Sequence, residues 1–451
     1  MTDTILIANR GEIACRIIAS AQALGLRTVA VYSDADANAR HVRLADKSVH
    51  VGGPRAVESY LDTTRILSAA RDSGAGAIHP GYGFLAENAA FAKATRDAGL
   101  IFIGPDPDTI RRMGDKQEAR RVAEAAGVPV SPGSGKLDPA DERAVMAAAE
   151  AIGFPVLVKA AGGGGGIGLR PVTDPAKLVK AVQSTSAQAE RAFSDGSVYL
   201  ERLVRRARHV EVQVFGRGKE EPLHLHMREC SLQRRYQKVI EEALPVGIRP
   251  PAVASMIDAA LNLARAVEYS GAGTIEYLYD DETGDFFFME MNTRLQVEHP
   301  VTEMVTRQDI VAMQIRHALG WELGVAQDDI TPKGHAIELR VCAEAPDRNF
   351  MPAPGRIEAM ELPSKPGLRI DTGVDAGDEI TPFYDSLVMK IIGHAETRAG
   401  AIATLRAALA QTRIEGLTTN LAFLDRLLAH PDFAANRLHT KFIESRLAEL
   451  V

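Results

Sequence analysis

Cysteine is scarce: the 451 residues hold three, Cys15, Cys230 and Cys342, far apart and without a CxxC pair. Neither a disulfide framework nor a zinc ribbon is therefore implied, and a reducing cytoplasm fits. Long apolar runs are missing too. No segment approaches the roughly 18 uninterrupted apolar residues of a membrane helix. The start MTDTILIANRG has no basic stretch leading into an apolar one, so neither an export signal nor a membrane span is expected. Positive charge is not in excess: 52 Lys and Arg stand against 59 Asp and Glu, a net charge of -7. This argues against a general nucleic-acid binder while leaving room for basic pockets that hold small anions. What remains is ordinary globular composition, 46% hydrophobic and 25% charged, and a length that suggests about three domains.

Residues 5–8 (ILIA) read as a buried strand and Gly11–Leu24 as a helix with apolar Ile13, Ile17, Ala21 and Leu24, ended by Gly25; Thr28–Tyr32 is the next strand. This opening predicts a doubly wound, Rossmann-like sheet whose ligands gather beyond the carboxyl ends of its strands. The turn Asn9-Arg10-Gly11-Glu12 is not GxGxxG, which argues against a dinucleotide there. After strand Ala77–Ile78, the segment HPGYGFLAEN (His79–Asn88) forces a tight loop and is a site candidate through Tyr82 and Glu87. A helix from Lys116 precedes a Pro- and Gly-rich boundary at 127–141. A smaller unit follows, with strands Pro155–Lys159 and Val198–Leu203, then strands His209–Phe215 and Glu221–His226 and helix Pro251–Tyr269. A third unit contains strand Ala336–Ala343 and helices from Arg398 and Asn420. The expected domains are 1–114, 115–330 with a lid subdomain over about 131–203, and 331–451. His224, His226 and Cys230 read as a polar strand face rather than as metal ligands.

Between Phe286 and Glu303 the chain runs FFFMEMNTRLQVEHPVTE. Period-two alternation predicts Glu290, Asn292, Arg294, Gln296 and Glu298 on one face of a strand, with Met291, Leu295 and Val297 packing behind. The preceding Gly273–Tyr279 is a partner strand, and a simple hairpin register sets Glu276 opposite Glu290. Facing carboxylates repel. A shared proton or a hard cation relieves them, and Asn292 adds an oxygen, so Mg²⁺ bridging substrate phosphates is the economical reading. An edge strand with solvated charges is the bland alternative.

Five consecutive glycines follow the VLVK strand, in Lys159-Ala-Ala-Gly162-Gly-Gly164-Gly165-Gly166-Ile167-Gly168. Packing cannot justify them, since each loses extra entropy on ordering. Unhindered N–H groups can wrap phosphate oxygens beside a lysine. No GK[ST] follows, so the loop is not a Walker motif; a hairpin lid over nucleotide phosphates suits it better, with a flexible linker as the alternative.

With these pieces assembled, the chain resembles the ATP-grasp superfamily and, within it, the biotin carboxylase subunit of the acyl-CoA carboxylases. The blocks ILIANRGEIACRI, HPGYGFLAEN, KAAGGGGG, RHVEVQV, ECSLQRR, QKVIEEA, GAGTIEY, EMNTRLQVEHPVTE, GHAIELRVCAE and FYDSLV carry the likeness, in order and nearly end to end. It implies an α/β and α+β fold: a doubly wound N-terminal domain, an ATP-grasp domain with a glycine-rich lid, and an α+β C-terminal domain. It also implies ATP- and bicarbonate-dependent carboxylation of biotin, the first half-reaction of a biotin-dependent carboxylase, using Mg²⁺ or Mn²⁺.

The resemblance gives Lys116, Lys159, Gly164, Gly165 and Gly166 phosphate contacts, sets Glu201 and Leu203 beside adenine, and lets His209 and Gln233 reach the ribose. Tyr236 falls in the ATP site and Lys238 near the transferred phosphoryl group. Glu276, Glu290 and Asn292 match metal ligands. Glu298 matches the base for bicarbonate, Arg294 its fork, and Gln296 and Val297 its neighbours. Arg340 would steady the enolate-like biotin, and Tyr82 lines that pocket. A structural ion pair with a neighbouring Glu is the plainer role for Arg340. The implied partners are a biotin carboxyl carrier protein and carboxyltransferase subunits, and a second copy in a homodimer; no nucleic acid or membrane is expected.

Two positions depart from the pattern. Ile167 stands where a basic lid residue is usual, and Tyr236 where His is common. Losing one charged hydrogen bond costs roughly 1–2 kcal/mol. A biotinyl motif is missing, Val388-Met389-Lys390-Ile391 being internal to a carboxylase block, so biotin is expected to arrive on another chain. The residues leave open a different ATP-grasp ligase, and a non-catalytic nucleotide-binding protein.

Overall fold

The computed structural model describes residues 2–160, 168–193 and 195–451. The expected lid contacts Gly164, Gly165 and Gly166, together with Ile167, lie outside the described residues.

The N-terminal unit is a parallel sheet of β1 (Thr4–Ile7), β2 (Arg27–Ser33), β3 (Lys47–Gly52), β4 (Ala77–His79) and β5 (Ile101–Phe102), in the order β3-β2-β1-β4-β5. Strands buried on both faces read as continuous apolar runs, as Ile5, Leu6 and Ile7 do. Helix α1 (Gly11–Ala23) buries Ile13, Ile17, Ile18 and Ala21 and stops where Gly25 takes φ +78°. The strand order reverses between β1 and β4, so the loops after them meet. Asn9 ties them together, donating from Nδ2 to the carbonyls of Pro80 and Tyr82, each at 2.7 Å.

The smaller unit is an antiparallel sheet of β6 (Val156–Ala160), β7 (Leu169–Val172) and β8 (Val198–Arg202), in the order β7-β6-β8, around a small aliphatic core. β6 and β7 pair from Val156↔Val172 to Lys159↔Leu169.

One eight-stranded antiparallel sheet spans the rest. β9 (Ala207–Arg217), β10 (Glu220–Arg234), β11 (Gln237–Ala243), β12 (Ser270–Asp280), β13 (Phe286–Asn292) and β14 (His335–Cys342) join the strands Leu368–Thr372 and Leu387–Ala395. The order is β13-β12-β9-β10-β11-β14, then Leu387–Ala395, then Leu368–Thr372. The C-terminal segment therefore extends the sheet begun by the middle of the chain. In β14, Ile337, Leu339 and Val341 enter the core with Leu405, Phe423 and Leu424, which sends Glu338 and Arg340 to the other face. Close approach of the C-terminal segment to α1 needs Gly373: a Cβ there would lie 2.3 Å from the Glu12 nitrogen. Among the described residues no helix is long and apolar enough to cross a membrane.

Candidate active site

The acidic face exists, but it is built across strands rather than along one. β12 and β13 pair with Glu276 opposite Glu290, as the hairpin register required. β9 places Glu211 on the other side of Glu276, and β10 places Arg228 beside Glu211. Four charged side chains thus stand in one row, on strands roughly 5 Å apart.

The strand ends at Asn292. Residues 293–298 form a loop entering the helix His299–Thr306, with Glu298 at its N-cap. The expectation that Arg294, Gln296 and Glu298 share a strand face with Glu290 is thereby corrected. Two forces bend the chain: Leu295 is drawn fully into the N-terminal core, and Pro300 sits in the first helical turn, where a missing N–H is no loss. The HPGYGF loop fastens the bend, Glu87 accepting from Arg294 Nε at 2.8 Å and from the Thr293 N–H at 3.2 Å.

The bend carries Glu298 beneath the sheet's cations. Lys238 Nζ, from β11, lies 2.6 Å from Glu211, 2.9 Å from Glu276 and 2.5 Å from Glu298. Arg340 lies 3.0 Å from the second Glu298 oxygen and 2.5 Å from Glu241. Arg228, wholly buried, meets Glu211 at 2.5 Å. Burial alone would push all these carboxylates up. It is overcome at Glu211 by Lys238 and Arg228, at Glu276 by Lys238 and His209, and at Glu298 mainly by Lys238, so all three fall below the ordinary range. At Glu241 burial outweighs Arg340 and the acid is pushed up to about 7. Glu290 is raised by its protein surroundings and by facing Glu276.

Arg294 donates from Nη1 to Gln296 Oε1 at 3.0 Å and from Nη2 to Asn292 Oδ1 at 3.1 Å. Asn292 and Gln296 in turn donate to Glu276, at 3.0 and 3.3 Å. The nucleotide candidates gather in part. Gln233 Nε2 is 2.8 Å from His209 Nδ1, while His209 Nε2 is 3.2 Å from Glu276. Lys159 bonds Glu201 at 3.0 Å. Leu203 follows β8 and donates its N–H to the Pro155 carbonyl at 3.0 Å. Lys116 opens its helix and is exposed. Tyr236 is 57% exposed at the tip of the β10–β11 hairpin, with Lys441 Nζ 5.7 Å over its ring. Tyr82 donates its hydroxyl to Glu12, and the Val297 carbonyl accepts from Lys390 at 2.9 Å. His226 bonds the Ile330 carbonyl at 3.1 Å, and Cys230 stands instead beside Glu298 at 4.0 Å.

Glu211, Arg228 and Glu241 were missed from the sequence, whereas Glu87 of the HPGYGF loop, a candidate there, is found holding Arg294. The alternation His209-Val-Glu211-Val-Gln213 held a signal for Glu211, because it puts a second acidic strand beside the first. Arg228 and Glu241 gave none: a shift in the β9–β10 register before Met227 sets Arg228 opposite Glu211, and Glu241 finds Arg340 on a strand joined only in space.

Three family descriptions match the chain: "Biotin carboxylase, N-terminal domain" over residues 1–110, "Carbamoyl-phosphate synthase L chain, ATP binding domain" over 115–326, and "Biotin carboxylase C-terminal domain" over 338–445. Biotin carboxylase 1 of Bacillus subtilis (strain 168) is 45% identical over 445 residues, covering 99% of each chain. The biotin carboxylase–β,γ-ATP complex from Campylobacter jejuni superposes with a TM-score of 0.91 at 40% identity, covering 99% of both chains. The biotin carboxylase domain dimer of Hydrogenobacter thermophilus 2-oxoglutarate carboxylase, solved with MgADP, ADP and bicarbonate, gives 0.91 at 40% identity, covering 100% of this chain and 99% of that one.

Proposed function

The chain belongs to the biotin carboxylase family, and on that premise we propose how its own residues carry out ATP- and bicarbonate-dependent carboxylation of biotin. The observation that carries the reading is Glu298, wholly buried and ionised, held between Lys238 at 2.5 Å and Arg340 at 3.0 Å. A carboxylate pinned by two cations is a weak base. Incoming anions draw Lys238 toward phosphate and Arg294 toward bicarbonate, and Glu298 regains basicity when its substrates are in place.

Glu298 then takes the bicarbonate proton. The freed oxygen attacks the γ-phosphorus of ATP, the bond to ADP breaks, and carboxyphosphate forms. Lys238 steadies the charge on the moving phosphoryl group. Carboxyphosphate gives CO₂ and phosphate; phosphate takes the proton from biotin, and Arg340 steadies the enolate-like ureido oxygen while the new C–N bond forms. Gln296 and the Val297 backbone border the bicarbonate, and Tyr82 borders the biotin pocket.

A magnesium ion held at this face would supply neutralisation of phosphate charge. Glu276 and Glu290 fit it, because facing carboxylates on a rigid sheet are hard oxygen donors that repel without a cation. Asn292, whose Oδ1 accepts here from Arg294, would add its oxygen. Lys116, Lys159 and the glycines 164–166 hold phosphates, Glu201 and Leu203 flank the adenine, His209 and Gln233 reach the ribose, and Tyr236 borders it.

Lys390 is wholly buried and cannot carry biotin. The biotin belongs to a carrier protein and is passed on by carboxyltransferase subunits. A homodimer is the working assembly, in keeping with the dimer named for the Hydrogenobacter domain. ADP release from MgATP should require bicarbonate and rise with free biotin. Glu298→Gln should cut bicarbonate-dependent release by about 10²–10⁴-fold while nucleotide binding persists. Turnover indifferent to bicarbonate, or a fully active variant, would overturn the reading.

A further inference from the structure

Four residues far apart in the chain, Glu12, Tyr82, Val297 and Lys390, meet behind the bend that carries Glu298. Lys390, on the strand Leu387–Ala395, is paired in register with Arg340 and is wholly buried. Its ammonium donates to the Val297 carbonyl at 2.9 Å and lies 3.1 Å from Glu12 at the start of α1. The same Glu12 oxygen accepts the Tyr82 hydroxyl, and its other oxygen is buried without a partner. Asp371 is further off, at 3.8 Å.

A buried ammonium is costly unless neighbouring groups answer its charge. Here Glu12 answers it from the N-terminal unit, while a strand of the C-terminal segment supplies the lysine. Gly373 permits this approach, since any side chain there would strike the backbone at Gly11 and Glu12. Among the described residues the one neutral acceptor of the ammonium is the carbonyl of the peptide joining Val297 to Glu298. Holding that carbonyl fixes the plane of the peptide and with it the origin of the Glu298 side chain. A displacement of about 1 Å there suffices to spoil a base's reach.

We propose that Lys390 is a positioning residue: with Glu12 and Tyr82 it forms a clamp on the Val297–Glu298 peptide that orients the bicarbonate pocket. The proposal deepens the site reading above and rests on it. The clamp also gives a task to two residues otherwise unexplained, the glutamate of NRGE and the lysine after FYDSLVM, and a second one to the tyrosine of HPGYGF.

The test is steady-state ADP release by the full chain, with ATP and bicarbonate varied separately. Lys390→Met keeps the apolar stem and removes the charge; it should raise KM for bicarbonate about tenfold or more, with KM for ATP changed less than about twofold. Glu12→Gln should move bicarbonate KM in the same direction by a smaller factor. The double variant should be no worse for bicarbonate than Lys390→Met alone, because both act through one clamp. Should Lys390→Met fail to fold, Glu12→Gln and Tyr82→Phe decide the matter. Unchanged bicarbonate KM in the folded variants overturns the clamp, as does an equal rise in both KM values, which marks a merely structural role. A wild-type chain indifferent to bicarbonate overturns the site reading and the clamp with it.

Discussion

The smaller sheet β7-β6-β8 and the central sheet both carry lysine beside glutamate, under different physical conditions. In the smaller sheet Lys159 meets Glu201 at 3.0 Å with side chains 27% and 18% exposed, so water competes with the pair. In the central sheet Lys238 meets three carboxylates, and Glu211 and Glu298 among them are fully out of water. The first is a pair that a phosphate can divide at little cost. The second is an interlocked set in which moving one charge exposes the rest. Groups that only hold a substrate can stay near solvent, whereas groups that transfer a proton need a dry, rigid frame.

The sharpest way to break this contrast is Lys238→Met. It leaves buried carboxylates without their shared cation and should cost about 3–5 kcal/mol. The deficit should shrink as pH falls, because protons replace the missing charge; denaturant midpoints at neutral and mildly acidic pH would show it. A loss below 1 kcal/mol would mean that the cluster is not interlocked.

Glu242 sharpens the contrast from the opposite face of β11. Arg398 at 2.6 Å and His335 at 2.8 Å overcome its burial and hold it down to about 2, from an ordinary 4.5. A depressed folded pKa stabilises above the unfolded value and fades as pH falls toward the folded one. The contribution, about 3 kcal/mol, should therefore be complete above pH 4.5 and vanish toward pH 2. Glu242→Gln should remove that part of the acid-unfolding curve with little effect on KM for bicarbonate. A large bicarbonate effect would merge the two faces into one functional unit.

The smallest effect is expected in the smaller sheet. Glu201→Gln should change stability by about 0–1 kcal/mol, as partly exposed pairs do, measured as a shift in denaturation midpoint. A several-fold larger cost would place this pair in the same class as Lys238.

The hairpin that faces Glu276 with Glu290 was legible because register and alternation are local consequences of pleat and turn. So was the doubly wound opening, since its apolar runs and Gly25 are local signals. The bend after Asn292 was not read: alternation continues through Glu298, and only Pro300 and the pull of Leu295 into a distant core break it. Arg228 and Glu241 were hidden for a related reason, as a buried charge is recognised by its partner.

From its own order of residues the chain fixes which strands alternate, where its helices stop, which acids face each other across a hairpin, and which family it resembles. The folded molecule alone decides that one lysine serves three acids and that Glu298 stands at a helix start under Arg340. It alone decides that Glu12, Tyr82 and Lys390 converge behind Val297. Local pattern is set by backbone geometry within a few residues, whereas the charge state of a buried group depends on whatever the whole fold brings within a few ångströms of it.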